Sequence, residues 1–187
     1  MHKGRVISGF LKHRVINFPD VPTTRPTSDA LKESLFNCLL HRFNVNFSEW
    51  TTIDAFAGSG ALGIEAVSLG SPFALFFEQN PVAYHTICEN VLSLKIFDKV
   101  VVLRADIIKY RMQPLLSKFG RNILILMDPP YDKTSLAVDL FHKIQELLKG
   151  YELIVTIETN NDLQELLPTH VLLASGDKKI FIFHTAT

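Results

Sequence analysis

The sequence has few of the features that mark secreted, membrane-bound or metal-dependent proteins. Its 187 residues include only two cysteines, Cys38 and Cys88. Both fall in apolar helical patterns, which indicates reduced core thiols. No run approaches the roughly 18 apolar residues that span a bilayer, and residues 1–10 lack the apolar core of a secretory signal. We therefore expect a cytoplasmic protein with no membrane partner.

Other absences narrow the chemistry and the domain count. The seven histidines show no metal-ligand spacing, so no metal is expected, and there is no G-x-S-x-G nucleophile motif. Internal repeats, low-complexity tracts and Gly/Ser linkers are also missing. A chain of this length fits one domain, and we expect it to act as a monomer.

Charge is balanced overall but unevenly distributed. The formal net charge is zero, yet residues 1–42 carry +4 and the remainder carries −4. A basic amino-terminal arm on an acidic body is typical of a protein that presents one face to a polyanion. A solvated basic tail explains the same pattern equally well.

The hydrophobic pattern predicts an α/β fold preceded by a small β-hairpin. Residues 5–7 and 14–18 read as short strands before a proline-rich turn, and Ser28 precedes a helical pattern. We divide the chain into an appendage, residues 1–26, and a domain, residues 27–187. Apolar runs then alternate with amphipathic stretches, which is typical of a mostly parallel sheet with helices on both faces. Predicted strands are 52–56, 73–78, 100–103, 123–128 and 152–158, predicted helices are 61–68, 81–94, 107–118 and 136–148, and residues 171–174 and 179–184 form a closing antiparallel hairpin.

A glycine-rich turn follows the first predicted strand of the sheet. Gly58 and Gly60 allow the backbone to turn sharply and approach a ligand, and the next helix offers unpaired N–H groups. Glu78 ends the second strand 20 residues after Gly58, where a ribose-binding acid is expected. Asp106 follows the third strand, where its carboxylate would accept from an adenine amino group or cap a helix. The combination predicts a nucleoside cofactor, either NAD or S-adenosylmethionine.

The most specific motif ends the fourth strand as Asp128-Pro129-Pro130-Tyr131. Prolines lack N–H donors and keep the backbone extended, so nearby carbonyls are available to accept hydrogen bonds. An amino group on a base needs such acceptors, and Tyr131 offers a face for stacking. A plain turn explains the tetrapeptide alone, but the carboxyl edge of an open sheet is where ligands bind. Asp128 is therefore predicted to orient the amino group first and to take a proton second.

Five segments together resemble bacterial small-subunit ribosomal RNA guanine-N2 methyltransferases of the RsmD type. The resemblance covers nearly the whole chain and is carried by Arg5-Val6-Ile7-Ser8-Gly9, Arg25-Pro26-Thr27-Ser28-Asp29, Glu33-Ser34-Leu35-Phe36-Asn37, residues 54–63 and residues 128–131. One departure is His13, which stands where the family usually has glycine in the hairpin turn.

The resemblance implies a fold, a cofactor and a substrate. The fold would be a Rossmann-like doubly wound sheet of seven strands with an antiparallel last strand. S-adenosylmethionine would bind at Asp54, Phe56, Gly58, Ser59 and Gly60, with Glu78 on the ribose and Asp106 near adenine. The target guanine of 16S ribosomal RNA, free or in the small subunit, would meet residues 128–131. Arg5, Lys12 and Arg14 would contact RNA phosphates, and Arg25 and Thr27 would lie beside the catalytic loop.

Three alternatives remain at this stage. A DNA or RNA adenine-N6 methyltransferase uses the same tetrapeptide, although the chain is short for a separate target-recognition domain. An NAD-dependent oxidoreductase fits the glycine motif and Glu78 but leaves residues 128–131 unexplained. A noncatalytic RNA-binding protein on the same scaffold would not need the intact Gly58, Gly60 and Asp128.

Overall fold

The computed structural model describes residues 2–21, 28–130, 134–163 and 171–185. Two short strands come first, and the main sheet and four α-helices follow. The strands are β1 (Lys3–Arg5), β2 (Val15–Asn17), β3 (Trp50–Asp54), β4 (Ala74–Phe77), β5 (Val100–Leu103), β6 (Asn122–Met127), β7 (Glu152–Thr159), β8 (Val171–Ser175) and β9 (Lys178–Thr185). The helices are α1 (Asp29–His41), α2 (Ala61–Ser68), α3 (Pro81–Leu94) and α4 (Thr134–Leu147).

The main sheet has seven strands in the order β5-β4-β3-β6-β7-β9-β8. Strands β3 to β7 run parallel, while β9 is antiparallel to both β7 and β8. The predicted doubly wound sheet with an antiparallel last strand is therefore confirmed. Because β3 lies between β4 and β6, the chain reverses its direction of winding there, which opens a crevice at the carboxyl ends of these strands.

Helices cover both faces of the sheet, as the two-sided apolar strands predict. Along β6, Ile123 and Ile125 point into the cluster that contains α4, whereas Leu124 and Leu126 point into the cluster that contains α1. Successive side chains of a strand face opposite sides, so a strand covered on both faces must be apolar throughout. Among the described residues, no helix is both long and apolar enough to cross a membrane.

The predicted helix over residues 107–118 is wrong. The chain instead forms a turn after Asp106 and a short 3-10 helix at Gln113–Lys118. Asp106 Oδ1 accepts from the Ile108 N–H at 3.0 Å, which ties the first turn to the carboxylate. Pro114 has no N–H to donate to a helical ladder. The apolar spacing that suggested a helix instead buries Ile107 and Met112 on the α4 side of the sheet.

The predicted amino-terminal hairpin forms, with β1 and β2 paired antiparallel. His13 has φ of 70°, in the left-handed region where a Cβ atom is disfavoured. The turn therefore keeps the backbone conformation that suits the family's glycine, although this chain has histidine there. Replacing the glycine leaves the hairpin intact and adds local strain.

Buried polar groups clamp the hairpin to the main domain. The Glu65 carboxylate on α2 accepts from the Ile7 N–H at 3.0 Å and the Ser8 N–H at 2.6 Å. Lys32 on α1 lies 3.6 Å from Glu65 and donates to the Arg5 carbonyl at 2.8 Å. Burial raises the pKa of Glu65, so the lysine and the two N–H donors offset part of the cost of burying its charge. The division at residues 26 and 27 stays a prediction.

Candidate active site at the carboxyl edge of the sheet

The glycine turn and the Asp128 loop leave the sheet side by side. Asp54 at the end of β3 is in register with Leu126 of the neighbouring β6, and the Ala55 N–H donates to the Leu126 carbonyl at 2.9 Å. Neighbouring strands lie roughly 4.8 Å apart. The loops that follow β3 and β6 therefore begin within a few ångströms of each other on the same edge.

The turn after β3 depends on glycine for both conformation and space. Gly58 and Gly60 have φ of 56° and 80°, values that L side chains rarely adopt. A Cβ at position 63 would lie 2.4 Å from the Phe76 ring. The third glycine therefore lets α2 pack directly against β4, and the turn presents its backbone at the start of α2.

Glu78 holds this turn from the neighbouring strand. Its Oε2 accepts from the Gly58 N–H at 2.8 Å and its Oε1 accepts from the Asn80 N–H at 2.7 Å. Burial raises the pKa of the carboxyl, and the backbone donors oppose that rise. The acid predicted to bind ribose thus also fixes the shape of the turn, and each oxygen keeps lone-pair capacity for a further donor.

Asp54 lies beneath the turn and is almost fully buried. Its Oδ2 accepts from the Gly63 N–H at 2.9 Å. Burial raises the pKa of Asp54 to about 7, the Gly63 donor opposes the rise, and the negative charge of Glu78 adds to it. The acid is therefore half-protonated near neutral pH, and a cation brought to the turn would favour its charged form.

The remaining predicted cofactor residues lie along the same edge. Phe56 is half-buried against the α4-side core, and Ser59 is buried between the two glycines. Asp106 follows β5, accepts from Ile108 N–H as described, and lies 3.8 Å from the Lys109 Nζ. Asp106 therefore caps a turn in this structure, and its contact with adenine remains a prediction.

Asp128, Pro129 and Pro130 continue directly from β6. Asp128 and Pro130 are half-buried and Pro129 is buried. Two successive prolines add no N–H groups to this loop, so its backbone is purely an acceptor there. Tyr131, the predicted stacking residue, lies outside the described residues.

The predicted RNA-contacting residues are spread over the hairpin. Arg5 forms an exposed ion pair with Asp29 at 3.0 Å, Arg14 donates to the Ser93 carbonyl at 3.2 Å, and Lys12 is exposed. Arg25 and Thr27 lie outside the described residues. The structure therefore describes three of these side chains on one hairpin but not the two expected beside the catalytic loop.

Sequence reasoning missed two side chains near the site. Asn90 on α3 is fully buried and donates to the Ser59 carbonyl at 2.9 Å. Glu158, near the end of β7, is buried and paired with Lys178 at 2.5 Å. The sequence did carry a signal for Asn90, since it shares the buried face of α3 with Ile87. A polar side chain at an apolar helical position needs hydrogen-bond partners when it is buried. Across the described ranges, no cluster of three or more His, Cys, Asp or Glu side chains is arranged to hold a metal ion.

The doubly wound sheet, its glycine turn and the adjacent acidic proline loop define a Rossmann-like α/β fold with a candidate ligand site at its carboxyl edge. The chain belongs to the family described as Conserved hypothetical protein 95, whose sequence model matches residues 4–181. It is similar to Ribosomal RNA small subunit methyltransferase D of Escherichia coli K12, with 32% identity over 127 residues, 68% of this chain and 60% of that protein. The enzyme of the same name from Buchnera aphidicola of Baizongia pistaciae is 29% identical over 181 residues, 96% of this chain and 88% of that protein.

Coverage differs among these relatives. The match to the Buchnera aphidicola protein of Acyrthosiphon pisum, 32% identical, spans 67% of this chain and 62% of that protein, less than two thirds of its length.

Solved structures agree on the fold. The human METTL16 amino-terminal domain in complex with SAH has a TM-score of 0.67 at 15% identity, covering 89% of this chain and 74% of that one. A Salinibacter ruber RNA methyltransferase in complex with S-adenosylhomocysteine has a TM-score of 0.60 at 13% identity, covering 86% and 93%.

Proposed function

We propose that this protein transfers a methyl group from S-adenosylmethionine to the exocyclic N2 amino group of a guanine in small-subunit ribosomal RNA. The observation that carries the proposal is the placement of the glycine turn and Asp128 on neighbouring strand ends of one edge. A methyl group can pass directly only between pockets that share an edge. Relatives named as small-subunit ribosomal RNA methyltransferases support the substrate.

The residues of the turn fit a nucleoside cofactor with a sulfonium charge. Gly58 and Gly60 hold the left-handed backbone of the turn, and the carboxyl groups of Glu78 and Asp54 lie behind it, where a nearby cation would favour their charged forms. Bound S-adenosylmethionine supplies an electrophilic methyl group that a nucleophile takes in one displacement. Glu78 would accept from the ribose hydroxyls, and Asp106 from the adenine amino group.

Asp128 would align and polarise the target amino group. A guanine N2 has a lone pair delocalised into its ring, so its N–H groups must donate to acceptors that favour attack by the nitrogen. The Asp128 carboxylate and the carbonyls of the proline loop provide such acceptors, with Tyr131 as the stacking face. Alignment of this kind contributes roughly 7 to 11 kcal/mol in well-oriented reactions. The released proton passes to Asp128 or to water.

The hairpin would bind the RNA outside the pocket. Phe10 precedes Lys12 and Arg14 on the hairpin connection and is 62% exposed, although its neighbour Leu11 is buried. An exposed aromatic ring on a segment that also carries cations suits an unpaired base flanked by phosphates. Because a base inside a duplex is out of reach, the target nucleotide would lie in a loop or be flipped out of its stack. An enzyme with this substrate works in the cytoplasm, and we propose that it acts as a monomer.

The decisive experiment incubates the protein with labelled S-adenosylmethionine and undermodified small-subunit RNA, both free and as assembled particles. Nucleoside analysis should find labelled N2-methylguanosine with the wild type and far less of it, in the same time, with Asp128→Ala. Labelled N6-methyladenosine in the RNA, or label confined to duplex DNA in a parallel incubation, would replace the proposal with the adenine-N6 alternative. Calorimetry should show binding of S-adenosylhomocysteine and none of NAD, and the reverse result would indicate an oxidoreductase.

A matched pair of variants tests the hairpin. Lys12→Ala should raise the KM for RNA a few-fold and lower the salt dependence of RNA binding by about one counterion. Lys149→Ala, an exposed lysine just before β7 at the opposite edge of the sheet, should change neither quantity. Equal effects of the two substitutions would show that the hairpin is not part of the surface that binds RNA.

A further inference from the structure

We propose that Asn90 couples the amino-terminal hairpin to the glycine turn, so that RNA and cofactor bind with positive linkage. Asn90 is fully buried on α3, and its carboxamide touches both segments. The inference rests on the proposed function, which assigns RNA to the hairpin and the cofactor to the turn.

The Asn90 carboxamide uses donors and acceptor together. Its Nδ2 donates to the Asn17 carbonyl at the end of β2 and to the Ser59 carbonyl in the glycine turn, each at 2.9 Å. Its Oδ1 accepts from the Asn17 N–H at 2.9 Å. A buried amide with these bonds has one orientation, because rotating it by half a turn would oppose donors to donors and acceptors to acceptors.

The bonded chain continues on both sides of Asn90. On the cofactor side, Ser59 adjoins Gly58, whose N–H donates to Glu78. On the RNA side, β2 leads back from Asn17 to Arg14, which itself donates to the Ser93 carbonyl on α3. RNA bound at Arg14 and a cofactor bound at Gly58 would therefore be connected through the Asn90 side chain and two short stretches of backbone.

Among the described residues, the other side-chain hydrogen bonds to the hairpin do not reach the glycine turn, although Val6, Leu11 and Ile16 share an apolar cluster with Ala57 just before it. Glu65 binds Ile7 and Ser8 from the middle of α2, and the Ser68 Oγ accepts from the Leu11 N–H at 2.9 Å. These bonds hold the hairpin on the domain, whereas Asn90 alone among the described side chains bonds to both β2 and the turn residues between Gly58 and Gly60. Asn90 is therefore a positioning residue, which acts through the hairpin and the glycine turn and does not need to touch the reacting atoms.

The first test measures linkage in matched variants. In the wild type, saturating small-subunit RNA should tighten S-adenosylhomocysteine binding by about fivefold, in the usual range of coupling between sites. Asn90→Ala and Asn90→Asp should reduce that ratio to about one, because both lack the two N–H donors. Thr86→Ala is the control, since Thr86 is buried one turn earlier on α3 and, within the described part of the chain, its hydroxyl donates to the Val82 carbonyl of its own helix and to neither the hairpin nor the glycine turn. A ratio that stays at the wild-type value in Asn90→Ala would overturn the proposal.

A second test uses the wild type alone and does not depend on how the variants fold. S-adenosylhomocysteine should slow hydrogen exchange of the Asn17 N–H at least about threefold, because that group bonds to Asn90 Oδ1. The Leu11 N–H, held by Ser68, should show no comparable change. If the cofactor product binds and Asn17 exchange is unaltered, coupling is absent while the proposed function stands. If it does not bind at all, the proposed function fails and this inference fails with it.

Discussion

The glycine turn and residues 128–130, both at the carboxyl edge, are held in shape by different means. In the turn after β3 and the first turn of α2, the backbone N–H groups of Gly58 and Gly63 donate to the carboxylates of Glu78 and Asp54, respectively. In the loop after β6, Pro129 and Pro130 supply no N–H groups. The first loop is therefore shaped by charged side chains from elsewhere in the fold, and the second by its own covalent rings.

Because they are held differently, the two loops should respond differently to pH. A loop held by buried carboxylates depends on their protonation, and Asp54 has a pKa of about 7. Proline rings do not titrate, so the stiffness that they give the backbone after β6 is independent of pH. Affinity for the cofactor should thus vary with pH more than the alignment of the target base does.

The largest expected effect comes from the loop after β6. Asp128→Ala should lower kcat by about 1,000-fold, within the usual range for loss of a positioned acid-base group, and leave the Kd for S-adenosylhomocysteine within about twofold. Single-turnover kinetics and calorimetry measure the two quantities. Asp128→Asn, which keeps an acceptor oxygen, should retain more activity than the alanine variant. Near-wild-type turnover in Asp128→Ala would end its assigned role.

Asp54→Asn should change how stability depends on pH. The folded-state pKa of Asp54, about 7, lies above its ordinary value of 3.8, so between these values the folded protein binds more protons than the unfolded chain. Stability should therefore fall as pH rises from about 4 to 7 and level off above, by up to about 4 kcal/mol. Asparagine keeps the acceptor for the Gly63 N–H and removes the charge, so this fall should disappear.

Denaturant titrations at pH 5 and pH 8 measure the Asp54 effect. Asp98→Asn, which removes an exposed carboxylate, controls for the change in net charge. A pH profile of Asp54→Asn that matches the wild type would show that the carboxylate does not limit the stability of the turn.

Glu78→Ala should weaken S-adenosylhomocysteine binding by about 30-fold, near 2 kcal/mol, because two backbone donors lose a charged acceptor. The kcat at saturating cofactor should fall much less. Glu78→Gln keeps one acceptor oxygen and should give an intermediate Kd. Isothermal titration calorimetry of the wild type and the two variants ranks their Kd values for S-adenosylhomocysteine. Equal Kd values would show that Glu78 does not contribute to cofactor binding.

The smallest effect is expected for Pro129→Ala. The substitution removes ring stiffness without changing charge, so kcat should fall by about threefold to tenfold, equivalent to roughly 1 kcal/mol of lost preorganisation. Its pH profile should keep the wild-type shape, in contrast to that of Asp54→Asn. A shifted profile would mean that the two loops are not stabilised independently.

Much of this architecture can be read from local pattern. Residues 61–68 and 81–94 form helices with the predicted bounds, because residues that start a helix stand directly before apolar residues at helical spacing. The helix over residues 107–118 fails because spacing alone reports which residues are buried, not which hydrogen bonds they make. A turn tied to Asp106 buries Ile107 and Met112 equally well.

The sequence by itself determined most of the strands, the glycine turn and the acidic proline loop, since each depends on hydrophobic pattern or backbone limits within a few residues. Only the tertiary structure decided that Glu78 and Asp54 accept hydrogen bonds from the Gly58 and Gly63 N–H groups, and that Asn90 joins Asn17 to Ser59. Those bonds link residues up to 73 positions apart, and hydrogen-bond partners at such distances are chosen by how helices pack on the sheet, which no local pattern encodes.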